Sequence, residues 1–302
     1  ACFEAKKFAE ARGYLIRKLN KVGGSSEDFN LLGLIETEFD NSDEAQKAFT
    51  KAVEIAPEFF GAWNNLGNEF RKQGNLSKAI WCYKKAISGN SDHQIALENL
   101  AKSYFEIGDI TSAVPVFEIL LSNSPSNGEF HAFLGELLSI SDPEKADRHF
   151  QCARQRQPNN IQLTERYIDF LASQQRHQEA LGLSNNLIAS LADNSEARVQ
   201  IHIKKARLLK QMGHFEDAEA AFREIVLIDR GKVSLWSDIA SIKRFKKDDP
   251  DIAAIESCLS DASIDERQLS SVYFSLAKAY DDLEEFDQAF LHLLRANRLR
   301  RE

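Results

Sequence analysis

The sequence predicts an all-α protein, built as a solenoid of stacked helix pairs, and two observations support this. The first is a repeat of about 34 residues, in which several columns of side chains keep the same phase along the chain. The second is the spacing of apolar residues within each repeat, which recur at intervals of three and four, as on one face of a helix. A chain of 302 residues is long enough for several such units.

Four columns of the repeat combine small and aromatic residues. The first column consists of Ala45, Ala79, Ala113, Ala146 and Ala180. An aromatic column follows, with Phe49, Tyr83, Phe117 and Phe150. A column of small residues precedes them, with Gly33, Gly67, Ala101 and Gly135, and a fourth column contains Ala52, Ala86, Leu120 and Ala153. Four columns in one register indicate a repeated structural unit.

One unit illustrates how each half of the repeat forms a helix. Over residues 63–70, large and small apolar residues fall at i, i+3, i+4 and i+7, and Gly74 then supplies a turn residue. Ala79, Tyr83 and Ala86 repeat this pattern on a second helix, whose small alanines allow the first helix to approach closely. Neither helix covers its apolar face alone, so consecutive pairs must stack.

These residues, W-x-x-L-G-x-x-F over 63–70 and A-x-x-x-Y-x-x-A over 79–86, resemble the tetratricopeptide repeat (TPR) family. The resemblance covers nearly the whole chain. It implies a right-handed superhelical solenoid of TPR helix-turn-helix repeats, also called an α–α superhelix. It further implies a non-catalytic protein-interaction module that binds a peptide or protein segment in a concave groove.

We expect four stretches of repeats along the chain. Residues 1–25 look like an incomplete N-terminal repeat, and residues 26–160 contain four regular TPR units. Residues 161–232 contain two degenerate units, in the first of which Ser184 replaces the large aromatic residue and predicts looser packing. Residues 233–302 contain an irregular unit, whose second helix is capped by Asp249 and begins with Pro250, and a terminal TPR unit.

Composition and motifs exclude several function classes. A formal net charge of −8 argues against nucleic acid or an anionic membrane as a partner, and no apolar stretch approaches the roughly 18 residues of a membrane helix. The chain lacks a nucleophile elbow, a phosphate loop and a dinucleotide fingerprint, so we expect no catalysis and no cofactor. His149 and Cys152 lie three residues apart on one helix without further ligands nearby in sequence, so we expect no metal site.

The cysteines and the first residues bear on location. Cys2, Cys82, Cys152 and Cys258 are far apart in sequence and form no CxxC pair, which predicts reduced thiols and a cytoplasmic protein. The first residues include neither an initiator methionine nor the apolar core of a signal peptide. We therefore expect the chain to be an excerpt of a longer protein.

Candidate partner-binding residues follow from the TPR resemblance, because certain positions of each first helix face the groove. Counting from the unit starts gives Asn64, Asn65, Asn68, Arg71, Lys72, Asn99 and Lys102 as candidates, and it places Glu98 and Glu106 on the same groove face. Asn65 and Asn99 hold the same position in consecutive units, so their amides should point the same way. Amides carry both a donor and an acceptor, which suits the backbone of an extended peptide. The alternative is that these residues are solvated polar side chains on a helix.

A second candidate surface is basic. Lys204, Arg207 and Lys210 lie on the first helix of the unit near residue 199, and Arg244 is expected on the first helix of the next unit. Within an acidic chain they form a local strip that attracts anions, which predicts an acidic peptide or a phosphate-bearing partner. Nonspecific surface charge is the alternative interpretation.

Chaperone-binding TPR proteins grip a C-terminal carboxylate with Lys, Asn and Arg side chains of three units. Asn64, Asn68 and Asn99 match part of that arrangement, but Glu129 and Phe133 stand where the last cations belong. A peptide carboxylate would be repelled by Glu129. We therefore predict that this chain has no carboxylate clamp.

The C-terminal hundred residues also resemble the repeat region of bacterial TPR–sulfotransferase fusion proteins, most distinctly in Lys243-Arg244-Phe245 and Asp248-Asp249-Pro250. This resemblance implies an alternative function: a substrate-recruiting region of a larger sulfotransferase. The phosphosulfate-binding loop of that family does not occur in the chain. A structural adaptor that self-associates through its end repeats is a further alternative.

Overall fold

The computed structural model describes residues 2–89, 94–192, 195–229, 231–261 and 264–301. In these ranges it contains seventeen α-helices, one short 3₁₀ turn and no β-strand. The predicted all-α fold of stacked helix pairs is therefore confirmed. The chain divides into two compact units, Ala1–Gln157 and Pro158–Glu302, which are described separately.

The first unit contains a long helix followed by four helix pairs among its described residues. Its helices are α1 (Cys2–Val22), α2 (Ser26–Glu38), α3 (Ser42–Ile55), α4 (Phe60–Lys72), α5 (Leu76–Ile87), α6 (Gln94–Glu106), α7 (Ile110–Asn123), α8 (Gly128–Leu138) and α9 (Pro143–Arg156). Each helix from α2 to α8 packs against the next one along the chain. Short connections make neighbouring helices antiparallel.

An aromatic ring of the second helix lies directly on a glycine of the first helix in three of these pairs. The pairs are Gly33 with Phe49, Gly67 with Tyr83 and Gly135 with Phe150. A Cβ atom on these glycines would lie 2.5, 2.6 and 2.7 Å, respectively, from the nearest ring atom. Such separations are too short for van der Waals contact, so only glycine lets the ring reach the helix backbone. Two columns of the repeat are thus packing partners.

The second unit contains the remaining helices. They are α10 (Ile161–Ser173), α11 (His177–Ser190), α12 (Glu196–Gln211), α13 (Phe215–Ile228), α14 (Leu235–Ala240), α15 (Pro250–Ser257), α16 (Glu266–Asp282) and α17 (Phe286–Arg301). The carboxylate of Asp249 accepts a hydrogen bond from the backbone N–H of Asp251 and caps α15, as the sequence predicts. Pro250 stands at the start of that helix.

The position of Ser184 shows an exchange of bulk between two helices. Ser184 is fully buried, and its hydroxyl donates a hydrogen bond to the carbonyl of Ala180 at 2.8 Å. Ile168 precedes Ser184 by the same number of residues as Gly67 precedes Tyr83, and it is only 1% exposed. The large side chain therefore sits on the first helix instead of the second. The looser packing that Ser184 predicts for this pair stays a prediction.

A buried ion-pair cluster holds the irregular segment between α14 and α15. Lys243 Nζ lies 2.6 Å from Oδ2 of Asp251 and 2.9 Å from Oδ2 of Asp249, and Arg223 binds the same Asp251 carboxylate at 2.6 Å. Burial alone would lower the pKa of Lys243, but the hydrogen bonds to Asp251 and Asp249 outweigh it and raise that pKa. Arg244 lies exposed in irregular chain beyond the end of α14, so its predicted placement on a helix is wrong.

Candidate functional site

The first helices of successive pairs meet on one side of the first unit. We call this surface the inner face; it is formed by α2, α4, α6 and α8. Asn65 Nδ2 on α4 donates to Oδ1 of Asn30 on α2 at 3.0 Å. Phe105 on α6 and Phe133 on α8 meet edge to face, with ring centroids 5.0 Å apart. Side chains that are about one repeat apart in sequence are therefore direct neighbours.

Five asparagines on this face form two hydrogen-bonded sets, which together we call the amide ladder: Asn30 with Asn65, and Asn99 with Asn64 and Asn68. Asn99 Nδ2 donates to Oδ1 of Asn64 at 2.9 Å, which is the same bond that Asn65 makes to Asn30 one repeat earlier. Asn99 Nδ2 also donates to Oδ1 of Asn68 at 3.1 Å. The predicted residues Asn64, Asn68 and Asn99 are thus brought together, and the predicted residue Asn65 bonds Asn30 instead.

The ladder leaves polar groups free for a ligand. Within the described residues, Nδ2 of Asn68 and Oδ1 of Asn99 have no other hydrogen-bond partner. Tyr83 donates its hydroxyl to Oδ1 of Asn68 at 2.9 Å, which fixes the orientation of that amide. One oriented donor and one oriented acceptor are complementary to the C=O and N–H of a peptide backbone.

The predicted cations of the inner face already have carboxylate partners. Arg71 Nε lies 3.1 Å from Oε1 of Glu106, and its Nη2 binds the same carboxylate. This hydrogen bonding raises the pKa of Arg71. Lys102 Nζ is 2.6 Å from Glu98, and Lys72 Nζ is 3.3 Å from Glu69. Because each cation is paired, the inner face of the first unit presents little net charge to a ligand.

The basic strip of the second unit is also paired. Lys204 on α12 binds Asp169 on α10 at 2.6 Å. Arg207 and Lys210 both approach Asp238 on α14, at 3.4 and 3.3 Å. Lys210 also donates to Oγ of Ser241 at 2.7 Å. The strip therefore carries three cations against two carboxylates, a smaller excess of positive charge than the sequence alone indicated.

Neither the Arg71–Glu106 pair nor the Lys204–Asp169 pair was predicted, although Glu106 was expected in the groove, because the partners lie roughly a repeat apart in the chain. Glu106 and Asp169 stand 35 residues from Arg71 and Lys204, respectively. A scan for opposite charges at that separation would have found both pairs. Neighbouring first helices place such residues side by side.

The other residues that the sequence singled out have packing roles. Phe133 stacks on Phe117 with ring centroids 4.9 Å apart, and Glu129 is exposed, so neither supplies a cation for a carboxylate clamp. His149 Nδ1 lies 2.9 Å from Nδ1 of His131 rather than facing a metal-ligand set with Cys152. Among the described residues there is no cluster of three or more side chains able to hold a metal ion. The side chain of Cys2 lies outside the described residues.

Family comparisons agree with this geometry. Models of the tetratricopeptide repeat match residues 29–59, 67–108, 98–138 and 199–232. These four stretches are therefore similar to tetratricopeptide repeats. TPR units are modules for protein–protein interaction. The sulfotransferase resemblance is not shown by these matches and stays a prediction from the sequence.

Known TPR proteins share the fold at low identity. The TPR-containing protein trd-1 of Caenorhabditis elegans is 23% identical over 213 residues, which is 68% of this chain and 28% of the worm protein. This chain thus spans well under a third of that relative. A TPR protein of Parabacteroides merdae superposes with a TM-score of 0.61 at 18% identity, covering 91% of this chain and 93% of that one. YrrB superposes at 0.52 and 14% identity, covering 61% and 95%.

None of the helices in the described ranges combines the length and apolarity needed to cross a membrane.

Proposed function

We propose that the inner face of the first unit binds an extended segment of a partner protein mainly through its backbone. The observation that carries this proposal is the amide ladder, in which Tyr83 and Asn99 orient Asn68 and leave a donor and an acceptor available. Groups that are held in place before binding lose little conformational entropy when the ligand arrives. YrrB, a TPR protein with an unusual peptide-binding site, has a related fold, which supports this class of function.

The chemistry of the surrounding face suggests what the segment contains. Leu31 and Leu34 on α2 are 48% and 42% exposed, and they hold the repeat positions that Asn65 and Asn68 hold on α4. They offer apolar contact next to the ladder. Because Arg71, Lys72 and Lys102 already have carboxylate partners, the proposed ligand is an uncharged segment with at least one apolar side chain.

The basic strip supports a second, weaker contact. Lys204, Arg207 and Lys210 outnumber Asp169 and Asp238 by one charge. We propose that an acidic or phosphate-bearing part of a partner binds there. Its contribution should be small and should fall with added salt, because exposed ion pairs are screened.

The test of the inner-face proposal is selection of peptides from a displayed random library, followed by titration of the enriched peptides. Replacing Asn65→Ala together with Asn99→Ala should weaken their binding at least tenfold, because a hydrogen bond contributes about 1 kcal/mol and two residues are changed. The matched control is Asn185→Ala with Asn186→Ala, two exposed asparagines on α11. Equal affinities for both double variants would remove the ladder from the binding site.

An alternative proposal keeps the resemblance to TPR–sulfotransferase fusions, with this chain recruiting a polypeptide acceptor to a catalytic domain. The segment that carries the resemblance makes internal contacts, since Phe245 is 2% exposed and its N–H donates to Asp282 at 3.1 Å. The test is whether the parent protein carries a phosphosulfate-binding domain.

We also propose a reducing, cytoplasmic location, which the unpaired Cys82, Cys152 and Cys258 support.

A further inference from the structure

An apolar pocket of about 490 Å³ lies between α3, α4 and α5, and we call it the outer pocket. Its lining includes Trp63, Leu66 and Phe70 of α4 and Trp81 of α5. Successive residues of a helix turn by roughly 100°, so these α4 positions point away from Asn64, Asn65 and Asn68. The outer pocket is therefore on the opposite side of α4 from the amide ladder.

The walls of the pocket are two tryptophans held in fixed positions. Trp63 and Trp81 meet edge to face with ring centroids 5.0 Å apart and an interplanar angle of 83°. Trp63 Nε1 donates to the carbonyl of Pro57 at 2.8 Å, which anchors that ring. Trp81 nevertheless remains 52% exposed. Rigid aromatic side chains beside a concave apolar surface are typical anchors of protein interfaces.

The charge around the pocket is unbalanced. Helix α5 contains Lys78, Lys84 and Lys85 and no acidic residue. In the described part of the chain none of these lysines forms an ion pair. Lys78 Nζ lies 5.2 Å from the Phe70 ring centroid and Lys85 Nζ lies 5.7 Å from that of Trp81, so both stand at the pocket.

This surface differs from the inner face in whether its cations have carboxylate partners. Arg71, Lys72 and Lys102 are each paired with a carboxylate, whereas Lys78 and Lys85 of α5 lie beside aromatic rings and form no ion pair among the described residues. The acidic residue that lines the pocket, Glu54, is itself bound to Lys51 at 3.0 Å. An anionic ligand can therefore bind Lys78 and Lys85 without displacing a carboxylate of the protein, as it would have to do at the cations of the inner face.

We propose that the outer pocket docks an acidic polypeptide segment. The segment inserts one large apolar side chain beside Trp63 and Trp81, and flanking carboxylates pair with Lys78 and Lys85. Lys78, Trp81 and Lys85 fall at i, i+3 and i+7, so they share one face of α5. This site is separate from the inner face and does not depend on the function proposed there.

The test uses a short synthetic peptide of Glu and Asp residues with one central Phe, added to the full chain. Emission from the exposed Trp81 should shift to shorter wavelength on binding, whereas Trp236 in the second unit is only 2% exposed and should respond little. Lys78→Glu with Lys85→Glu should weaken binding at least tenfold, as should Trp81→Ala. A peptide with Ser in place of Phe, or Gln and Asn in place of the acids, should also lose affinity.

Two controls separate this site from the others. Lys246→Glu with Lys247→Glu makes the same change in charge at two exposed lysines outside both proposed binding surfaces and should bind the peptide like the wild type. Asn65→Ala with Asn99→Ala should also bind normally, so the inner-face and outer-pocket proposals can fail independently. Circular dichroism checks that each variant is folded.

Three results would overturn the proposal. One is undiminished peptide binding by the Lys78→Glu, Lys85→Glu variant. Another is an equal loss of binding in the Lys246→Glu, Lys247→Glu variant, which would show that the peptide responds to net charge and not to the outer pocket. The third is a Trp81-dependent rise in mass with concentration in sedimentation, without peptide, which would make a second copy of the chain the occupant.

Discussion

The hydroxyl of Tyr83 donates a hydrogen bond to Oδ1 of Asn68 at 2.9 Å while the ring of Tyr83 covers Gly67. In the aromatic column, Phe49, Phe117 and Phe150 have no hydroxyl. One side chain therefore closes a helix pair and orients an amide of the ladder. Burial raises the pKa of Tyr83 well above its usual range, so the hydroxyl stays a donor at physiological pH.

Tyr83→Phe keeps the ring and removes this hydrogen bond. We expect the free energy of unfolding to fall by about 1 kcal/mol, because Asn68 keeps its bond from Asn99. Binding of peptides selected on the inner face should weaken several-fold, since Asn68 loses one of its two fixed partners. Urea denaturation and peptide titration measure the two effects. An unchanged affinity would mean that Asn68 does not contact the ligand.

Gly67→Ala tests the contact between the glycine and aromatic columns. The new Cβ would lie 2.6 Å from the Tyr83 ring, so we expect a loss of about 1–2 kcal/mol despite the better helix propensity of alanine. Gly182→Ala is the control, because nothing lies within 4 Å of its added Cβ. That variant should be more stable by about 0.5–1 kcal/mol. Equal effects at both positions in urea denaturation would contradict the steric explanation.

Lys243→Gln tests the buried cluster of the second unit. The Lys243 side chain is 9% exposed, and its removal leaves Asp249 and Asp251 close together with only Arg223 to balance them. We expect a loss of about 3 kcal/mol or more. Lys247→Gln changes an exposed lysine on the same segment and should be nearly neutral. Thermal unfolding followed by circular dichroism compares the two; a similar melting temperature for both would show that the cluster adds little.

The contact of His131 with His149 predicts sensitivity to acid. The pKa of His149 falls from its usual 6.5 to about 4, mainly because the side chain is buried; the charges of His131 and Lys145 add to this shift, and that of Glu118 opposes it. The folded chain therefore binds fewer protons than the unfolded chain between these values. Stability from this group is full above about pH 6.5 and is lost as the pH falls toward 4.

The expected loss over this range is on the order of 1–2 kcal/mol, because His149 is only partly buried and solvent screens its charge. Urea denaturation at several pH values measures it. His149→Gln should flatten the pH dependence, whereas His214→Gln, which changes a half-exposed histidine, should not. A slope that survives His149→Gln would assign the acid sensitivity to other groups.

The helical fold was predictable from the sequence because its cause is local and periodic. Gly67 and Tyr83 recur with the repeat, but the repeat alone did not predict that the ring of Tyr83 lies on Gly67 of the same helix pair. The large side chain of Ile168 opposite the small Ser184 was harder to predict, because each departs from a different column of the repeat. The aromatic column by itself shows only that Ser184 replaces a large side chain.

The candidate site was only partly predictable for a different reason. Repeat position identified Asn65 and Asn99 as neighbours on one face, and both lie there. The net charge of the same face depends on pairs such as Arg71 with Glu106, which an analysis of one repeat at a time does not join. The outer pocket was missed because Trp81 lies outside the repeat columns.

The amide ladder has a consequence for how such a chain changes in length. Asn30 and Asn64 hold equivalent repeat positions, so an in-frame excision of residues 60–93 would leave Asn99 facing Asn30 in the place that Asn65 now occupies. The same bond would form across the new junction. Duplication of that stretch would add one more rung. Evolution or design can therefore lengthen or shorten the inner face by whole repeats while the repeated Asn–Asn hydrogen bond is kept.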